Sequence, residues 1–214
     1  MPIPLTDVPA IAARLDDAAL HVWRLRYDPR QGRAPLRALL GAYLGLPADA
    51  VELVAGSHGR PQLAGAQQGD TLDFNWTHSG DCALVALGRH ARPGIDVERR
   101  RARPRGLEIA RRYFAPGEAD WLARQPPDRQ DEAFLVLWTA KEAVLKALGR
   151  GLAFGLHRLE IDTSGAAPRL LRLEQEDPAA WQLQPLEVDR EHVAALAWRG
   201  TPRCIWQWVL AGDD

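Results

Sequence analysis

Three short stretches of this chain hold side chains that could do chemistry. Residues 94–98 read GIDVE. In a strand, alternate side chains share a face, so Ile95 and Val97 point one way and Asp96 and Glu98 the other. Two carboxylates ~7 Å apart on one face repel each other unless water or a cation relieves them. The pair suits a half-exposed strand with its polar face in water. That is by far the commoner case; a Mg²⁺ site would need a third oxygen donor and an anionic substrate. Residues 134–152, FLVLWTAKEAVLKALGRGL, contain the chain's two lysines, Lys141 and Lys146, among 27 basic residues. An ammonium can give up a proton where a guanidinium stays charged, although two neighbouring lysines also arise by chance. Phe134, Leu137, Trp138, Leu145 and Leu148 form an apolar helical stripe, with Lys141 and Glu142 on or beside it. A charge in such a seam is costly unless it is paired or bound to metal. Lys146 follows Glu142 by four residues, the favourable order for a helical ion pair. That pair alone accounts for both residues but not for Lys141 or the Asp96/Glu98 pair. In the third stretch, NWTHSG (75–80), Thr77, His78, Ser79 and backbone N–H groups could bind phosphate. An ordinary strand end and turn has the same appearance. No G-x-S-x-G surrounds Ser79, so this is no serine-hydrolase signature.

The elements that must position these residues follow from periodicity. ALHVWRLRY (19–27) reads as a strand and APLRALLGAYLGL (34–46) as a helix with Leu36, Leu39, Leu40, Tyr43 and Leu44 on one face. AVELVAG, a turn at 59–61, LDFNWTHSG and CALVALGRH read as strands. The second half repeats the order. A strand at PGIDVER leads to helical patterns at LEIARRYF and GEADWLARQ. A long helix over 132–149 follows, stopped by Gly149 and Gly151. Five further strand patterns, from HRLEIDT to CIWQWVL, suggest one antiparallel meander. The expected fold class is α+β, with two pseudo-equivalent halves, 1–92 and 93–214, each a helix on a mostly antiparallel sheet. A ligand site between two such halves is expected.

Composition narrows the function. The 214 residues are 46% hydrophobic and carry a net charge of −1, which argues against a protein that coats DNA or a membrane. Cys82 and Cys204 form no spaced framework and suggest a reducing compartment. No apolar run suits a signal peptide or a membrane helix. A cytoplasmic protein is expected.

FNWTHSG, GIDVER and FLVLWTAKEAVLKALGRGL, in this order, resemble the signature of the 4′-phosphopantetheinyl transferases, closest to the surfactin-synthetase-activating type. HGRPQL (58–63) resembles the family's GKP turn, with Arg60 in place of lysine. LEIARRYFAPGE and EVDREHVAALAW resemble two further segments, so the likeness spans about residues 33–198. It implies a two-half α+β fold and transfer of the 4′-phosphopantetheine arm of coenzyme A to a serine of a carrier protein. Adenosine 3′,5′-bisphosphate is the other product. It further implies Asp96, Glu98 and Glu142 as ligands of Mg²⁺, with Mn²⁺ as an alternative. Thr77 and His78 would hold the 3′-phosphate end of coenzyme A, with Arg60 nearby. Lys141 and Lys146 would face the phosphates, and Asp96 would also border the coenzyme. Glu142, directly or through water, would take the serine proton, and Lys146 would neutralise or protonate the departing bisphosphate. The three carboxylates should then converge within ~5 Å of one point, given ligand distances of about 2.1 Å. The attacking serine belongs to the carrier, so no nucleophile is expected in this chain. Acyl, peptidyl or aryl carrier domains are the implied partners, in polyketide or nonribosomal peptide biosynthesis. A monomer, with no nucleic acid and no membrane partner, is expected.

Two features depart from the family pattern. The segment before the first helix shrinks to DPRQGRAP, where Arg30 or Arg33 would replace the usual basic contacts to coenzyme A. Trp76 replaces a smaller aliphatic residue. The run RRRARPRG (99–106) is either a solvated loop or a docking edge for an acidic carrier helix. Two other functions compete. One is a non-catalytic coenzyme A or carrier binder that kept the fold. The other is a basic-loop nucleic-acid protein or metal nuclease, which the lack of a groove-reading motif disfavours.

Overall fold

Buried peptide groups must find hydrogen-bond partners, and here two sheets of the same plan provide them. The computed structural model describes residues 1–65, 71–165 and 167–211. It divides into two units: Met1–Pro93 with the segment from Pro202 onward, and Gly94–Thr201.

The first unit contains α1 (Val8–Ala12), β1 (Ala19–Arg26), α2 (Ala34–Leu44), β2 (Leu53–Ala55), β3 (Pro61–Leu63), β4 (Leu72–Ser79), β5 (Cys82–Arg89) and, from the far end of the sequence, β11 (Cys204–Val209). β1 pairs antiparallel with β5, and β5 with β4. Gly80, at φ 63°, allows the two-residue turn that joins β4 to β5. Leu36, Leu39, Leu40 and Tyr43 of α2 are buried in one cluster with Trp23, Phe74 and Val85 of the sheet. The Tyr43 hydroxyl ties helix to strand by accepting the Trp23 indole N–H at 2.7 Å. Gly45 ends α2 in the left-handed conformation.

The second unit repeats the plan with a larger helical layer. It contains β6 (Gly94–Arg99), α3 (Gly106–Tyr113), α4 (Pro116–Ala123), α5 (Gln130–Leu148), β7 (Leu159–Asp162), β8 (Arg169–Leu173), β9 (Trp181–Leu186) and β10 (His192–Arg199). β6 pairs antiparallel with β10, and β10 with β9. In each unit the first strand therefore pairs with a later strand that also pairs with its predecessor in sequence. Each unit also carries a small hairpin, β2–β3 or β7–β8. The fold is α+β with two equivalent halves. No helix among the described residues is long and apolar enough to cross a membrane.

Two expectations need correction. The five late strand patterns do not form one meander: β7–β8 is a separate hairpin, and β11 leaves the second half. β11 runs parallel to β1, from Ala19 opposite Cys204 to Arg24 opposite Val209. A division into 1–92 and 93–214 assigns β11 to the wrong half. β1 would have an unpaired edge, and burying that edge with β11 satisfies both strands.

Helix α5 packs on β6 and β10, and its Phe134, Leu137, Ala140, Val144 and Leu145 lie in the buried cluster of this unit. Asp131 and Glu132 in its first turn and Lys146 in its last complement the helix dipole. The approach to β6 is close. A Cβ on Gly94 would lie 2.1 Å from the Ala143 carbonyl oxygen and 2.3 Å from the Ala147 nitrogen. Both atoms are backbone and cannot turn aside, so helix and strand can meet at this separation only over a glycine. Gly94→Ala should therefore lower stability by about 1–3 kcal/mol or more, read from the midpoint of chemical denaturation. A variant with an unchanged midpoint would disprove the close approach.

Candidate active site

The glycine that admits α5 also defines one face of β6. Because side chains alternate along a strand, Gly94, Asp96 and Glu98 share the side that meets α5, while Ile95 and Val97 point away. From α5, Lys146 Nζ donates to Asp96 Oδ1 at 2.6 Å and to the Ile95 carbonyl at 3.1 Å. Glu142 lies one turn earlier on the helix. Its carboxyl is pushed up to about 7, chiefly by burial and then by the charge of Asp96; Lys146 opposes the shift and Glu98 adds to it. Its Oε1 is buried and accepts no hydrogen bond. Three carboxylates and one lysine thus share one electrostatic neighbourhood, in which Lys146 bonds Asp96 and also offsets the charge of Glu142.

The expected convergence of the three carboxylates on one point is not met as the side chains stand. Among the described residues, no three or more His, Cys, Asp or Glu side chains are grouped so as to hold a metal ion. The physical reason is that carboxylates take the nearest cation. Asp96 is held by Lys146, and Glu98 accepts from Arg103 at 2.6 Å. The donor set still fits a hard divalent cation in chemistry. All three groups are oxygen donors, and a buried carboxylate oxygen with no hydrogen bond is one that a cation would satisfy.

Lys141 lies elsewhere. It was expected to face phosphate, but it is fully buried, with its ammonium 2.7 Å from Glu118 Oε2. It also donates to the carbonyls of Leu156 at 3.0 Å and Leu159 at 2.6 Å, and it sits over the Phe114 ring. Glu118 in turn accepts the backbone N–H groups of Ala115 and Ile161. Burial pushes the Lys141 ammonium down and the Glu118 carboxyl up, while each partner's charge opposes the other's shift. Lys141 thus pins α5 to α4 and to the start of β7. Glu118 is a residue that sequence reasoning missed, since nothing local marks it as the partner of a lysine on another helix. Lys141→Met should cost about 3–5 kcal/mol, the usual effect of leaving one buried charge unpaired. The double change Lys141→Met/Glu118→Gln should restore part of that loss. Equal midpoints for the wild type and Lys141→Met would refute this role.

The expected phosphate-binding residues belong to the first unit, and the structure does not unite them. Thr77 is buried and His78 exposed. As neighbours on β4 they point to opposite faces, so their side chains cannot both grip one phosphate. His78 stacks on Tyr27, centroids 3.9 Å apart and planes inclined by 11°. Trp76 packs inward against the core of this unit and edge-on to Tyr27. Arg60, expected near the 3′-phosphate, is buried and donates to Asp73 Oδ1 at 3.0 Å and to the Phe74 carbonyl at 2.7 Å. That bond pattern serves the strand rather than an open ligand surface. Arg33 is exposed at the start of α2, and Arg30 is held by Asp28.

The basic run is less free than its sequence suggests. Arg99 pairs with Glu191, Arg100 with Glu132, Arg103 with Glu98 and Arg105 with Glu108. Arg101 is exposed. Between this loop and α5 lies a cleft of about 430 Å³, lined by Glu98, Arg101, Arg103, Ile109, Phe134 and Trp138. The cleft therefore begins at one of the cluster carboxylates and continues over apolar surface.

Glu142 gives the site a pH signature. In the unfolded chain it loses its proton near its ordinary 4.5, and in the folded chain at about 7. Between these values only the folded state holds the proton, so this group's contribution to stability falls as pH rises through the window. In metal-free buffer the wild type should lose up to about 3 kcal/mol relative to Glu142→Gln between roughly pH 5 and 7.5. Parallel stability–pH curves for the two proteins would contradict a buried, proton-binding Glu142.

The model of the 4′-phosphopantetheinyl transferase superfamily matches residues 92–197, which include β6 and α5. The chain is 36% identical over 169 residues to the 4′-phosphopantetheinyl transferase HetI of a Nostoc species, covering 79% of this chain and 69% of that one. It is 32% identical to the 4′-phosphopantetheinyl transferase psf-1 of Bacillus pumilus, covering 79% and 72%. Among solved structures, a Thermotoga maritima holo-[acyl-carrier-protein] synthase aligns with a TM-score of 0.41 and 24% identity, covering 51% of this chain and 64% of that one. With relatives of this identity spanning more than two thirds of their own length, the chain belongs to the 4′-phosphopantetheinyl transferase superfamily.

Proposed function

We propose that this chain transfers the 4′-phosphopantetheine arm of coenzyme A to a serine of an apo acyl, peptidyl or aryl carrier protein and releases adenosine 3′,5′-bisphosphate. The observation that carries the reading at residue level is the cluster of Asp96, Glu98, Glu142 and Lys146 on the facing sides of β6 and α5. We further propose that the three carboxylates hold a divalent cation, Mg²⁺ with Mn²⁺ as an alternative. When bound, the cation would neutralise charge on the pyrophosphate and its leaving group.

The reaction makes a bond from the carrier serine oxygen to the β-phosphorus and breaks the bond from that phosphorus to the bridging oxygen. Such displacements depend mostly on positioning and charge neutralisation. Glu142 is the proposed acceptor of the serine proton, directly or through water. Lys146, partly exposed at the same cluster, is proposed to offset the charge on the departing bisphosphate or to protonate it. Exposed His78, backed by Tyr27, is the proposed contact for the 3′-phosphate, with Arg33 as a further basic contact. Thr77, Arg60 and Lys141 are given no contact with coenzyme A, because all three are buried and Arg60 and Lys141 are bonded to Asp73 and Glu118. All four cluster residues come from one unit of one chain, which supports a monomer as the active form. Use of coenzyme A and two free cysteines support a cytoplasmic location.

The test is mass spectrometry of a panel of apo carriers incubated with the chain, coenzyme A and Mg²⁺. The expected result is a gain of one phosphopantetheine group on the carrier serine. Asp96→Ala and Glu142→Gln should each lower that rate at least ~10²-fold. Tight coenzyme A binding without any carrier modification would instead establish a binder that kept the fold. Near-normal turnover by both variants would remove the cation assignment.

A further inference from the structure

We propose that Arg103 is the resident occupant of Glu98, so that its guanidinium and a divalent cation compete for one carboxylate. The inference rests on the acidic-cluster reading above and adds a positioning residue to it. Arg103 NH2 lies 2.6 Å from Glu98 Oε2, and both side chains are about three-quarters buried, at 23% and 22% exposure. A guanidinium held this closely repels a second cation that approaches the same carboxylate, so the two positive charges oppose each other's binding there.

The contact is also built to be broken. Arg103 Nε is buried and donates no hydrogen bond, whereas a guanidinium gains most when it meets a carboxylate with both arms of its fork. The resident pair therefore leaves a donor unsatisfied, which lowers the cost of displacement. Within the loop, Arg99, Arg100 and Arg105 pair with carboxylates outside the cluster: Glu191, Glu132 and Glu108. Arg103, by contrast, bonds a carboxylate of the cluster itself. It sits five residues after Glu98 and lines the adjoining cleft. Cation binding would thus release Arg103 into the cleft and loosen the loop that carries it.

The test uses Mn²⁺ as a paramagnetic probe, with no coenzyme A and no carrier present, so that binding is read by electron paramagnetic resonance instead of turnover. Arg103→Gln should bind Mn²⁺ about three- to tenfold more tightly than the wild type, the range expected from removing one partly buried ion pair. Arg103→Lys, which keeps a cation, should stay near the wild type. Arg101→Gln removes the same charge from the same cleft, and among the described residues Arg101 makes no ion pair. It should change affinity by less than about twofold, the residue of long-range charge alone. Amide hydrogen exchange gives a second readout. Residues 99–106 should exchange faster when Mn²⁺ is added to the wild type, and should already be fast and unresponsive in Arg103→Gln. If Arg103→Gln binds no better than wild type or than Arg101→Gln, the competition is overturned. If Asp96→Asn and Glu142→Gln bind Mn²⁺ like wild type, the acidic-cluster reading fails instead. Absence of Mn²⁺ binding in every protein overturns both.

Discussion

The separation of helix α5 from strand β6 is set by a side chain that is not there. With hydrogen in place of Cβ at Gly94, the helix backbone at Ala143 and Ala147 comes down onto the strand. Everything at the candidate site scales from that separation. It brings Lys146 within hydrogen-bond reach of Asp96, and it buries Glu142 near two other carboxylates. The same approach explains why the carboxyl of Glu142 holds its proton to higher pH than usual. Water is largely excluded from a helix–strand contact this tight, and nearby negative charge raises the cost of ionisation further.

The two lysines divide the work between structure and chemistry. Lys141 is on the helix side that meets α4 and β7, where Glu118 and two carbonyls satisfy it. Its burial fixes how α5 is rotated about its axis. Five residues later, Lys146 has turned to the β6 side and remains partly exposed. Arginine would not serve at the first position: its larger fork could not enter a site shaped for three short ammonium hydrogen bonds. An ordinary packing demand thus accounts for one of the two lysines in a chain otherwise rich in arginine, and the acidic cluster accounts for the other.

Much of this was legible from residue order, and the failures have specific causes. The strand at 94–99 and the helix ending at Gly149 follow from period two and period 3.6, which are local signals. The shared face of Asp96 and Glu98 follows from the same alternation. That alternation also separates Thr77 from His78, since β4 runs through Ser79; reading the hydroxyls and imidazole of NWTHSG as one row left the strand alternation unapplied there. The Lys141–Glu118 pair links residues 23 positions apart on different helices, and no periodicity encodes such a meeting. The Glu98–Arg103 contact was hidden for another reason. A run of arginines reads as uniformly solvated until the fold assigns partners one by one. β11 has a clear strand pattern, but its partner, β1, is over 180 residues earlier in sequence, so its unit was assigned by proximity and wrongly.

That distant pairing has a consequence for how the chain acquires its fold during synthesis. Residues 94–201 are continuous, and every strand they contain finds its partners within that stretch. They can complete their sheet as soon as they have left the ribosome, with loops of modest closure entropy. The earlier unit cannot do so. One edge of β1 waits for residues 204–209, which are made after residues 94–201, so β11 docks only after the intervening unit has been produced. Until then β1 shows an open hydrogen-bonding edge, a surface on which nascent chains are prone to pair wrongly. The half that carries the acidic cluster is therefore able to mature first, and the half that carries His78 is closed by β11, which is made after it.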